Sequence, residues 1–157
     1  MGGELSKDTN TVDGTGVQGA RKRGGLNDFI FIQVPATTPA GTPLVVTYDT
    51  TAIVKGVAPA TLAVGQEIAI TPRLAGATAE YMWCQLRGVC QALVDGTADV
   101  TSGHYLKVIN AGVALIEDGA SMSTSSIAVA QSTYTTNSAA LKSVILMGAK
   151  GAIIATA

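Results

Sequence analysis

Turn-forming residues recur along this chain at intervals too short for helices, and that spacing constrains the fold more than any other feature. Asp95-Gly96, the run Asp99-Val100-Thr101-Ser102-Gly103, Asn110-Ala111-Gly112 and Glu117-Asp118-Gly119 follow one another closely. Short β-branched runs lie between them, Tyr105 to Ile109 and Val113 to Ile116. Strands bounded this way read as an antiparallel meander. Asp95-Gly96 is the strongest single turn signal, the pair expected of a two-residue hairpin between Val94 and Thr97.

The rest of the globular part reads the same way. Phe29 to Val34 is rich in aromatic and β-branched residues and stops at Pro35, which predicts a strand. The stretch 35–43 carries three prolines and a glycine and is read as a loop. Leu44 to Tyr48, Ile53 to Val57 and Glu67 to Thr71 are short strand candidates. Tyr81 to Val94 is the longest, with Gly88 marking a bulge. Ile127 to Tyr134 alternates, and Ser143 to Met147 is the last strand, its β-branched pair arguing against a helix. No internal repeat or heptad pattern intervenes. The expected fold is all-β, a compact antiparallel barrel or sandwich of short strands. Barrel closure suits a chain with few charges to protect its edges.

Residues 1–27 read differently, as an extended N-terminal arm preceding a domain over 28–157. Gly, Thr, Asp, Lys and Arg dominate it, and its only large apolar residues past Met1 are Leu5, Val12, Val17 and Leu26. That apolar area does not offset backbone ordering at about 1–2 kcal/mol per residue, so the arm is expected to order by docking. Its positive charge concentrates at Arg21-Lys22-Arg23. The triplet is either a solvated run or a contact for an acidic protein surface, and it is short for a nucleic-acid arm.

Composition bears on function. Charged residues make up 13% of the chain and the hydrophobic share is 47%, which implies surface hidden against other copies or a partner. A net charge of −1 argues against a nucleic-acid binder. No apolar run reaches the roughly 18 residues of a membrane span. No basic start leading into an apolar core opens the chain, so no secretory leader is expected.

Catalytic material is scarce. His104 is the single histidine, at a turn beside Ser102, with no nucleophile motif around it. Cys84 and Cys90 would share one strand face about 20 Å apart, against roughly 7 Å or less between the Cα atoms of a disulfide. They are read as reduced and buried, and one histidine cannot complete a usual zinc set. The acidic pairs Glu117-Asp118 and Asp95 with Asp99 fall in turns, where Asp stabilises the turn itself. Gly14-Thr15-Gly16 lacks the strand and helix of a phosphate loop. No enzyme, metal or cofactor is expected.

The stretch from Gly88 through Val94, Asp95-Gly96-Thr97-Ala98-Asp99-Val100-Thr101-Ser102-Gly103-His104-Tyr105-Leu106-Lys107-Val108 and on to Ala111-Gly112-Val113-Ala114 resembles the small capsid decoration (cement) proteins of tailed bacteriophages. Ala140-Leu141-Lys142-Ser143-Val144-Ile145-Leu146 is similar to that family's last strand. His104 stands where the family often carries Asp. The resemblance covers roughly the C-terminal half. It implies a β-tulip-like barrel, a homotrimer, and a place on the outer surface of the virion capsid after synthesis in the host cytoplasm. It also implies the major capsid protein as partner, with neighbouring subunits bridged. On this reading Arg21, Lys22, Arg23, Leu26 and Phe29 are the capsid-contact residues of the arm. Trp83, Leu86 and Val89, within the region 81–90, are the self-association candidates.

A carbohydrate- or host-surface-binding β module is the competing class. Loops 35–43 and 120–126 would carry it, although neither holds an aromatic residue to stack on a sugar.

Overall fold

The computed structural model describes residues 7–8, 18–48, 53–59, 67–109 and 111–148. Those residues form an all-β fold with no helix. The strands are β1 (Lys7–Asp8), β2 (Arg21–Gly24), β3 (Asn27–Val34), β4 (Pro43–Tyr48), β5 (Val54–Val57) and β6 (Ile68–Ile70). They continue with β7 (Glu80–Asp95), β8 (Tyr105–Val108), β9 (Leu115–Gly119), β10 (Ser126–Ala130) and β11 (Ala139–Met147).

The long strand β7 is the spine. Its C-terminal half pairs with β11 from Arg87↔Met147 to Asp95↔Ala139, and the order β7-β9-β8-β10-β11 closes a five-strand barrel. Its N-terminal half pairs with β3, and β7-β6-β4-β5-β3 returns to β7 as a second circuit. Most neighbours are antiparallel. The links β7–β9 (Val94↔Leu115) and β3–β5 (Gln33↔Lys55) are parallel.

Alternation along β7 explains why one strand can serve two circuits. Met82, Cys84 and Leu86 point into a core with Ile30, Ile32 and Val34. Further along the same strand, Ala92 and Val94 enter a second core with Leu106, Leu115, Ala128 and Val144, and Cys90 packs against it. β4 and β6 form the wall between the cores. Leu44, Val46 and Ala69 face the first, while Val45, Ile68 and Ile70 face the second. Burial on both faces accounts for the unbroken apolar runs Leu44-Val45-Val46 and Ile68-Ala69-Ile70.

The all-β expectation is met, and several local readings change. Asp95-Gly96 makes no two-residue hairpin. The Asp95 carboxylate accepts from Thr97 N at 2.9 Å and Thr97 Oγ1 at 2.6 Å, which turns the chain away, and β11 occupies the place beside β7. A two-residue hairpin lies instead at Gly25-Leu26, where Gly24 pairs with Asn27 and Gly25 has φ +63°, as a II′ turn requires at its first central position. Residues 21–24 and 7–8, read as arm, are thus strands of the sheet, while 1–6 and 9–17 lie outside the described residues. Glu117, Asp118 and Gly119, read as a turn, complete β9. The bulge expected near Gly88 falls beside it, between the pairs Asp28↔Arg87 and Phe29↔Gln85.

Candidate functional site

Pairing of β2 with β3 carries the basic triplet onto the sheet. Alternation then gives its members different partners. Arg21 is bound by Glu67, with Nη1 donating to Oε1 at 2.8 Å and Nη2 to Oε2, and Nη2 also reaches the Tyr48 hydroxyl at 3.3 Å. The hydrogen bond to Glu67 raises the Arg21 pKa above its ordinary value. Arg23 donates through Nε to Asp28 Oδ1 at 2.7 Å. Lys22, directly opposite Phe29, lays its ammonium 5.4 Å from that ring centroid and 4.4 Å from the centroid of Trp83. Desolvation there lowers the Lys22 pKa.

Arg21, Lys22, Arg23, Asp28, Phe29 and Glu67 line a cleft of about 570 Å³ together with Ile68, Leu86, Arg87, Met147 and Gly148. Trp83 packs behind it against Phe31, with ring centroids 5.3 Å apart. Leu26, at the hairpin tip, is 88% exposed. The structure therefore gathers Arg21, Lys22, Arg23 and Phe29 around one cleft, and part of the expected charge is spent within the chain.

The self-association candidates separate. Leu86 is buried in the first core and reaches the surface only at the cleft wall. Trp83 is half-buried under Lys22. Val89 alone is openly placed, at 54% exposure, and it has company that sequence reading missed. It pairs across strands with Ile145 at 39% exposure, and Leu141, at 46%, lies on the same outer face two pairs along. The half-buried Leu93 and Met147 extend the stripe. The period-two pattern Leu141, Ser143, Ile145, Met147 held this signal. It was masked because Val144 and Leu146 on the opposite face are apolar too.

The remaining polar groups are used locally. His104 Nδ1 lies 2.5 Å from Glu117 Oε1, and Thr101 N donates to Glu117 Oε2 at 2.7 Å. Ser102 turns away and donates to the Gln131 carbonyl at 3.2 Å. Asp118 accepts from Ser123 Oγ at 2.5 Å and Ser126 Oγ at 2.6 Å, with Lys107 Nζ at 3.2 Å. Burial works against the Asp118 carboxylate, but these partners outweigh it and hold its pKa below the usual range. Both cysteines are free thiols, each pushed up by burial, Cys90 to about 12. Among the described residues no cluster of three or more His, Cys, Asp or Glu is placed to hold a metal ion.

In the two loops of the competing reading some hydroxyls are bonded within the chain, while Thr37, Ser121, Ser123 and Thr124 are exposed. Thr38 Oγ1 donates to the Pro35 carbonyl at 2.8 Å and Thr42 Oγ1 to that of Pro39 at 2.9 Å, and Ser123 is tied to Asp118. No family model matches the chain, and no curated protein matches it.

Proposed function

We propose that this chain is a capsid decoration protein. Copies associate as a homotrimer, seat on the outer surface of a phage head, and bridge neighbouring major capsid subunits. The observation that supports this reading best is the stripe of Val89, Ile145 and Leu141 on the outer face of β7 and β11. Large apolar side chains exposed on a pair of long strands favour burial against another protein surface. A cross-strand pair such as Val89–Ile145 presents its methyl groups as one surface. The resemblance of the segment that begins at Gly88 includes this strand. The hairpin residues Arg21, Lys22, Arg23, Leu26 and Phe29 then face the shell, and many copies on a lattice add avidity to each weak contact.

The test is the mass of the full chain by sedimentation, alone and with heads lacking decoration. The expected result is a trimer that binds heads, with Val89→Asp and Ile145→Asp each shifting the mass to that of a monomer. A wild-type monomer indifferent to heads defeats the proposal.

A further inference from the structure

Three residues on adjacent strands stand side by side at the mouth of the cleft. Arg23 of β2 is the register partner of Asp28 of β3, and Asp28 is the register partner of Arg87 of β7. The row runs cation, anion, cation, with one carboxylate for two guanidinium groups. Asp28 is bound by Arg23, whose hydrogen bond lowers the Asp28 pKa, with the field of Arg87 adding to the effect. Arg87 is exposed, and among the described residues its guanidinium donates no hydrogen bond. Arg23 uses only Nε toward Asp28, and its side chain is largely exposed. A guanidinium carries five N–H donors, so this row retains far more donors than Asp28 can accept from.

Beside the row the cleft lining has an apolar share. Phe29, Ile68, Leu86 and Met147 line the same cleft. A carboxylate bridging Arg23 and Arg87 would form charge-assisted bonds beside this partly apolar surface. That surface also has room for an apolar side chain next to the acid. A bare anion would leave the apolar lining wet.

We propose that this cleft is a docking site for an acidic protein segment, one that places a carboxylate between Arg23 and Arg87 and an apolar side chain against Phe29, Leu86 and Met147. The arguments are charge complementarity and the mixed lining. The inference goes beyond the capsid reading, since it concerns the chemistry of whatever segment binds.

The experiment titrates the full chain with a blocked peptide of alternating glutamate and leucine at low salt, followed by calorimetry and by amide shifts of residues 21–29. Saturable binding is expected, weakened about tenfold or more by Arg87→Gln, the scale of one lost charge-assisted hydrogen bond. Asp28→Asn, which removes the internal competitor, is expected to tighten it. A peptide with glutamine in place of glutamate is expected not to bind. No binding of the acidic peptide, equal binding by Arg87→Gln, or inorganic phosphate matching the peptide would each overturn the proposal. No head is present in this measurement, so the docking site and the capsid reading can fail separately.

Discussion

Gly88 sits where the two circuits meet on β7, with φ +97°, a conformation that L side chains rarely adopt. A Cβ there would collide with Asn27 Oδ1 and come within 3.0 Å of the Leu26 carbonyl oxygen. Asn27 cannot retreat without cost, because its Oδ1 accepts from Gln85 Nε2 at 3.3 Å. For Gly88→Ala, the left-handed backbone costs about 1–2 kcal/mol. Displacement of the Asn27 side chain by the new methyl group adds roughly 1 kcal/mol. The expected loss of stability is thus about 2–3 kcal/mol. Urea unfolding of the wild type, Gly88→Ala, Asn27→Ala and the double variant forms a cycle that divides the two causes. With the Asn27 amide already removed, Gly88→Ala should cost only the backbone share, leaving a coupling of about 1 kcal/mol. A Gly88→Ala loss below about 0.5 kcal/mol, or an identical loss in both backgrounds, would refute the argument.

Two further outcomes are expected. Leu106 is fully buried in the second core, so Leu106→Ala should lower unfolding free energy by about 2–5 kcal/mol, measured by the same urea titration. The folded-state pKa of Asp118 lies below its unfolded value, so its contribution is present above the usual carboxylate pKa and lost as pH falls through the folded one. Asp118→Asn should therefore cost about 2 kcal/mol at neutral pH. Thermal melts across acid pH should show the gap between variant and wild type closing as the wild type protonates.

Fold class was legible because strand signals are local. β-branched runs cut by Gly, Pro and Asp report the backbone directly, and β7 was read within a residue at each end. What escaped was pairing, which depends on partners distant in sequence. Asp95-Gly96 carries a hairpin signature, yet β11, arriving some 44 residues later, takes the place beside β7. The bond of Arg21 to Glu67 is not legible locally, because the two lie 46 positions apart. Leu86 is buried by the closing of the first circuit, which no local feature of the sequence announces. Of the candidate residues, Arg21, Lys22 and Arg23 stand out in the sequence by their charge, but not their place around a cleft. Arg87 and Met147 were missed because they join it only through the registers of β3 and β11 with β7.

The partition formed by β4 and β6 has a practical corollary. Leu44 and Val45 are consecutive in the chain yet look into different compartments. Isotope-labelled methyl groups at these two positions would be separate windows, one onto each half of the molecule. Comparing them as a candidate partner is added would reveal which half senses it.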